Sequence, residues 1–434
     1  MKKFLIFFAA AILLAASLLT NTSALDKPDS VNLALTKNIH VLSVDSGLTV
    51  FEKNADELIS PASAVKIMTA ILAYEHFDGK FDTVLTVGEE AIDATEGNNI
   101  GLKAGEEVTV DELLTALIAG GANDAANVFA FEISGSVEAF LELMNQKAKE
   151  IGANSTVYEN TGGIDSEGMR TTARDTSLIA AYAYKLPQFA KYAGVTRYVM
   201  PATNLSGQRV VHNRNYLLST HIERKYYDKN AIGLNSGYTQ LGGHCVVTAT
   251  EKNGLTFIIT VMGGGRDEKG DNAAFYAASE LIKWANGSFG YITVLNPDSI
   301  VREIPVALAK NVDYVIASPE SKVDYFLPLD TDVASEVSYE MRLDRETMTA
   351  PIYEGQRAGE IDVIYKGEVI ETVPLVTKNN VRASSLLRAL DYIKNLLKSR
   401  QVKIGLTVFV LVFAAYLALS YVAYTRRRRR NRRG

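Results

Sequence analysis

One cysteine in 434 residues, Cys245, leaves no internal disulfide and no thiolate cluster for a metal. It lies in the alternating run His244-Cys245-Val246-Val247-Thr248-Ala249-Thr250, which reads as a strand, and its expected role is that of a small buried hydrophobe. His244 points to the opposite face of that strand, so Cys245 has no partner to activate it as a nucleophile. Histidine is nearly as scarce. The five residues His40, His76, His212, His221 and His244 show no H-E-x-x-H or related ligand spacing. No G-x-G-x-x-G phosphate cradle is present, and Gly263-Gly264-Gly265, after the apolar run 257–262, reads as a turn. Neither a metal nor an organic cofactor is expected. The formal net charge is −5 although arginines crowd the C-terminal end, so the body is acidic and a nucleic-acid partner is not expected.

What the chain does carry is Ser63-Ala64-Val65-Lys66, inside Ile59-Ser60-Pro61-Ala62-Ser63-Ala64-Val65-Lys66-Ile67-Met68-Thr69-Ala70. A serine and a lysine one helical turn apart share a face, so the amine can reach the hydroxyl. Serine needs an adjacent base to act as a nucleophile, and a desolvated lysine can be one. Pro61 suits a first helical turn, and Ile67, Met68, Ile71 and Leu72 would bury the helix that follows. A bare S-x-x-K also fits a helix-capping serine with a solvated lysine. The spacing alone leaves both open.

Order and spacing downstream add to it. The segment around Pro61 to Ala70 resembles the first motif of the low-molecular-mass penicillin-binding proteins, the serine-type D-alanyl-D-alanine carboxypeptidases, whose motifs run S-x-x-K, S-x-N, K-T-G. The second position here reads Ala119-Gly120-Gly121-Ala122-Asn123, and the third Leu234-Asn235-Ser236-Gly237-Tyr238-Thr239. Gly162-Gly163-Ile164-Asp165, Thr171-Thr172-Ala173-Arg174-Asp175 and Gly101-Leu102-Lys103-Ala104-Gly105-Glu106 extend the likeness, which spans roughly residues 34–380. Two positions depart from the pattern. Gly121 replaces the serine of S-x-N, and Asn235 replaces the lysine of K-T-G. In relatives that lysine supplies positive potential for the substrate's terminal carboxylate. Its loss is expected to let the Lys66 pKa rise and to cost roughly ten- to a hundred-fold in rate or affinity. Gly121 removes a hydroxyl that could relay a proton, and the space it leaves could admit water.

The ends of the chain suggest the compartment. Residues 1–24 read as a secretory signal peptide: Met1-Lys2-Lys3, an apolar run over 4–19, then Thr22-Ser23-Ala24. Residues 404–424 carry no charge and are about long enough to cross a ~30 Å hydrocarbon core. The arginine-rich tail 425–434 follows at once, the positive-inside pattern of a single-pass anchor with its tail in the cytoplasm and the body outside.

Between the ends, residues 31–288 mix alternating strands with helical patterns over 63–75, 110–118, 124–133, 137–151, 175–184 and 272–284. The resemblance implies the α/β (α+β) serine acyl-transferase fold of the penicillin-binding protein and β-lactamase type. Its antiparallel sheet is flanked by helices, and its third motif lies on an edge strand facing Ser63. Residues 291–381 change to short strands and read as a small β-rich stalk. Residues 384–400 place Leu386, Leu387, Leu390, Ile393, Leu396 and Leu397 at helical spacing. That helix would lie on the membrane, pack on the β-rich domain or pair with another copy.

The resemblance implies removal of the terminal D-alanine from peptidoglycan stem peptides through a serine acyl-enzyme, with β-lactams as covalent inhibitors. Ser63 would be the nucleophile, Lys66 its base and Asn123 the amide that positions substrate. Backbone N–H groups of Ser63 and Tyr238 would form the oxyanion hole, Asn235 and Ser236 would face the terminal carboxylate, and Gly237 would be a further substrate-binding residue. Two alternatives remain: a stem-peptide-binding pseudoenzyme, favoured by Gly121 and Asn235, and a β-lactamase, for which no deacylating glutamate stands out between Asn123 and Asn235.

Overall fold

The computed structural model describes residues 32–430, so the expected signal peptide at 1–24 and the last four residues lie outside it. The chain divides into two units, one up to Gly290 and one from Tyr291 onward.

In the first unit, five strands form an antiparallel sheet: β1 (Asn38–Ser43), β2 (Thr49–Lys53), β3 (Ala231–Thr239), β4 (Gly243–Lys252) and β5 (Leu255–Gly264), in the order β2-β1-β5-β4-β3. β5 is buried at every position, its two threonines included, as befits a strand covered on both faces. β3 is an edge strand, so one side of its backbone is available to a ligand. Gly263 and Gly264, expected as a turn, continue β5. Gly263 sits at φ +65, where a β-carbon would strike Lys37, and the ladder to β4 is bulged there, so glycine prolongs the strand rather than ending it.

Helix α1 (Val65–Phe77) runs through the core and is buried on most of its surface. It ends at Asp78 in the left-handed region, followed by Gly79. Around it lie α2 (Val110–Ile118), α3 (Asn123–Ser134), α4 (Val137–Ile151) and α5 (Ala173–Lys185); α6 (Ala273–Ser288) covers β4 and β5. Their boundaries follow local chemistry. Thr109 and Glu112 close a reciprocal capping box on α2, Ser136 caps α4, Thr172 caps α5, and Gly135 and Gly152 end α3 and α4 at positive φ.

The second unit holds a six-stranded sheet of β6 (Arg302–Ala307), β7 (Tyr314–Pro319), β8 (Val337–Leu343), β9 (Met348–Thr349), β10 (Arg357–Tyr365) and β11 (Glu368–Thr377), in the order β8-β10-β11-β7-β6-β9. Ile304, Val315, Ile361, Val363 and Leu375 form its core. Lys366-Gly367, both at positive φ, close the β10–β11 hairpin as a two-residue turn matched to strand twist. Then come α7 (Ser385–Lys398) and α8 (Arg400–Arg430). None of the α7 residues is buried, and its leucines stay exposed. Within α8, residues 400–426 have a mean hydropathy of 2.3 over their most apolar stretch, and 27 residues at ~1.5 Å each exceed the thickness of a bilayer core.

Candidate active site

Ser63 is not in an α-helix. It sits in a 3₁₀ turn, Ala62–Ala64, immediately before α1. Ala62 has φ 48, a left-handed conformation that costs a non-glycine residue about 1–3 kcal/mol and persists only where its surroundings enforce it. The enforcing contact is Gly163: a β-carbon there would lie 1.9 Å from the Ala62 carbonyl oxygen. From the other side comes β3, so close that a β-carbon on Gly237 would sit 2.3 Å from Ser63 Oγ and 2.5 Å from Ser63 Cβ. The expected edge strand facing Ser63 is therefore present, and glycine at 237 is what permits the approach.

Lys66, on the first turn of α1, is 2% exposed. Its ammonium donates to the Gly162 carbonyl. The loop that supplies this carbonyl is clamped from several directions. Asn160 Oδ1 accepts from the N–H groups of Gly163 and Ile164, Thr161 Oγ1 donates to Asn127 Oδ1, and Thr69 Oγ1 donates to the Thr161 carbonyl. Burial, and secondarily the field of Arg214, bring the Lys66 pKa down to about 7. Desolvation is the larger cause, and Arg214 supplies a cation near Lys66 where Asn235 brings none.

Asn123 begins α3. Its Nδ2 donates to the Glu96 carbonyl at 2.6 Å, while its buried Oδ1 has no hydrogen-bond partner among the described residues. Gly162 packs so tightly against this amide that a β-carbon would overlap it. A buried carbonyl oxygen of this kind is a ready acceptor for a substrate N–H. Asn123 lines a cavity of about 290 Å³ together with Asn127, Asn160 and Gly162.

Ser236, Gly237 and Tyr238 line a separate cavity of about 330 Å³, with Arg214, His244 and Arg266. Asn235 is 3% exposed and is not part of that wall, and its Oδ1 is also without a partner among the described residues. Ser236 Oγ donates to the Arg214 carbonyl at 2.7 Å. Arg214 flanks Gly121: a β-carbon there would lie 3.1 Å from Arg214 Cδ. Sequence reasoning missed Arg214 and Arg266, since neither belongs to a spaced motif. Their signal would have been positive charge close to strand β3 in space, which only the fold reveals.

Other quoted motifs act as scaffold. Asp165 accepts from Ser60 Oγ and from the Leu241 N–H, tying the nucleophile's turn to the β3–β4 connection. Burial raises its pKa, but those bonds outweigh it and hold the carboxyl below its ordinary value. Arg174 pairs with Glu52 and Asp56, and Asp175 accepts from Ser155 and Thr156. Cys245 is buried, with its thiol pushed up to about 12, so it stays protonated and unreactive.

A nucleophile turn, a buried lysine, an amide and an edge strand in this order match known proteins over most of the chain. Residues 30–265 match the D-alanyl-D-alanine carboxypeptidase family, more than half of the sequence. The chain belongs to that family. Its enzyme class is accordingly that of a serine-type D-Ala-D-Ala carboxypeptidase. Residues 289–383 match the C-terminal domain of penicillin-binding protein 5. Among relatives of this carboxypeptidase, DacF of Bacillus subtilis (strain 168) is 28% identical over 81% of this chain and 87% of its own length. DacC of Escherichia coli (strain K12) is 28% identical over 80% and 85%. The crystal structure of DacD from Francisella tularensis superposes with a TM-score of 0.61 at 24% identity, over 85% of this chain and 98% of that one, a likeness of fold.

Proposed function

We propose that this carboxypeptidase removes the terminal D-alanine from peptidoglycan stem peptides by way of a Ser63 acyl-enzyme. The observation that carries the reading is the buried Lys66, desolvated and held by the Gly162 carbonyl one turn from a serine pressed against an edge strand. A pseudoenzyme has no need to keep a buried lysine poised near neutrality, which favours turnover over binding alone.

In this reading Lys66, neutral, takes the Ser63 proton as Oγ attacks the carbonyl carbon of the penultimate D-alanine. The N–H groups of Ser63 and Tyr238 receive the developing oxyanion, and Asn123 Oδ1 accepts from the substrate backbone. The proton then passes to the leaving D-alanine nitrogen as the C–N bond breaks. Water attacks the ester and returns the proton to Ser63. The arginine-lined cavity takes the terminal carboxylate.

The pH dependence follows from Lys66. Only the neutral amine is a base, and the pKa is about 7, so acylation should fall as pH drops through 7 and level off above it. Stopped-flow acylation by benzylpenicillin between pH 5 and 9 measures this. A flat profile over that range would remove Lys66 from the role of base.

We place α8 across the membrane with the catalytic unit outside the cytoplasm and the arginines inside, and α7 on the membrane surface with its leucines inward. In protoplasts, external protease should digest the ectodomain and spare a tag fused after Gly434. A tag cleaved from outside reverses the orientation.

A further inference from the structure

The cavity that Asn123 lines differs in charge from the arginine-lined one, and the reaction as derived uses only Asn123 among its residues. One face of α3 borders it: Asn123, Asn127 and Phe131 follow at intervals of four residues. The start of α4 contributes Val137 and Glu138, and the loops before α3 and α5 contribute Glu96 and Ile164. Its volume of about 290 Å³ is small for a whole ligand, since binding clefts usually begin near ~300 Å³. At ~30 Å³ per water-sized group, a side chain of four carbons and a nitrogen would take roughly half of it.

Most polar groups around this space are already committed. Asn127 accepts from Thr161 Oγ1 at 2.7 Å and donates to Thr95 Oγ1 at 3.2 Å. Asn160 accepts from the N–H groups of Gly163 and Ile164 and donates to the Ile164 carbonyl. Three acceptors are left. Asn123 is 6% exposed, and its Oδ1 has no partner among the described residues. Glu96 and Glu138 are exposed and so stand at the rim, and neither has an ion-pair partner among the described residues. Glu96 is held close to the reacting groups, because its carbonyl accepts from Asn123 Nδ2 at 2.6 Å. Glu138 lies in the first turn of α4, where a carboxylate favours the helix dipole, but that role makes no demand on Glu96. No lysine, arginine or histidine lines the cavity. A space bounded by acceptors, with two unneutralised carboxylates at its rim, suits a ligand that brings donors and positive charge. Phe131, Val137 and Ile164, each partly buried, give it an apolar wall as well.

We propose that this cavity is a side-chain subsite for the stem residue that precedes the two D-alanines, and that Glu96 and Glu138 select a side chain ending in a free ammonium. The inference rests on the carboxypeptidase reading, which gives the peptide its direction. The terminal carboxylate lies in the arginine-lined cavity, the scissile carbonyl at Ser63 and a backbone N–H on Asn123 Oδ1. The peptide then continues past Asn123, and the side chain of the preceding residue is the first group able to enter the cavity. Its methylenes run along Phe131, Val137 and Ile164, and its ammonium reaches the carboxylates at the rim. Acylating that amine removes the charge and adds bulk, so the subsite favours stem peptides whose side-chain amine is unmodified.

The test uses the full-length Ser63→Ala protein in detergent micelles, so that binding is read without turnover. Calorimetry gives dissociation constants for Nα-acetyl-L-Lys-D-Ala-D-Ala and for the same peptide with its side-chain amine acetylated. The free amine should bind about three- to ten-fold more tightly, a modest factor because both carboxylates are exposed to solvent. Glu96→Gln and Glu138→Gln keep the side-chain volume and should each lower that ratio, and the double variant should bring it close to one. The ratio should also shrink as salt rises from about 0.05 to about 0.5 M, which a purely structural role for the two residues would not produce. Melting temperatures show which variants are folded, and the single variants carry the test if the double one is not. A ratio of one before any Gln substitution, or a ratio that the folded Gln variants leave unchanged, overturns the proposal. Acylation of the native protein by benzylpenicillin is measured in parallel. Absence of any Ser63 adduct there counts against the catalytic reading, while the binding ratios still decide the subsite.

Discussion

Ser63→Ala should abolish the covalent adduct between the ectodomain and a β-lactam, a loss on the order of a million-fold in acylation rate, the scale seen when a serine nucleophile is removed. Intact-mass spectrometry reads it directly: one equivalent of label on the native protein and none on the variant. The base is tested at Lys66, where an alanine would confuse chemistry with packing. Lys66 is buried and donates to the Gly162 carbonyl, so truncation leaves a void and a carbonyl without its donor, at a cost of about 1–3 kcal/mol. Lys66→Met keeps the volume and removes only the amine. It should lower acylation by about 10²- to 10⁴-fold, the usual contribution of a general base, and cost less stability than alanine because it leaves no void, though the Gly162 carbonyl still loses its donor. Label on a serine other than Ser63, or near-native acylation in Lys66→Met, would make the mechanism wrong.

Gly237→Ala carries the second large effect, and it is predicted from space alone. The added methyl would stand 2.3 Å from Ser63 Oγ and 2.5 Å from Ser63 Cβ, both closer than real contacts allow. A rotamer change moves Oγ but not Cβ, so either β3 must retreat or the 3₁₀ turn must shift. Either movement displaces the nucleophile from the proposed oxyanion donors, and misplacement by about 1 Å costs on the order of 100-fold. Acylation should therefore drop by that factor or more, with a stability loss of about 1–3 kcal/mol from overpacking. Thermal melting separates the two, and native acylation kinetics in Gly237→Ala would mean that β3 does not form the wall of the site.

Motif order was readable in the chain because each chemical group comes with a local requirement. Ser63 and Lys66 need one helical turn between them. The helices that surround them are announced by caps such as Thr109–Glu112, Ser136 and Thr172, whose side chains bond within three residues of their own position. The edge position of the third motif came from resemblance rather than periodicity, since strand order is set by pairing between distant segments. Local reading failed at Gly263 and Gly264, where glycine usually breaks a strand but here serves a bulge against β4.

The sequence by itself determined the one-turn spacing of Ser63 and Lys66, the order of the motifs, the apolar span at 404–424 and the absence of a disulfide framework. Each of these is a matter of residue type and spacing along the chain. Only the tertiary structure decided where the positive charge of the site resides. Asn235 reads in sequence as a missing cation and Gly121 as a missing hydroxyl. In space, Arg214 packs against Gly121 and its carbonyl accepts from Ser236, although it lies 93 residues beyond Gly121 and 21 before Asn235. Electrostatic fields and steric contacts act over a few ångströms regardless of separation along the chain, so a residue that reaches the site need not belong to any motif. For the same reason Lys66 is kept near neutrality by burial among core elements and not by its sequence neighbours.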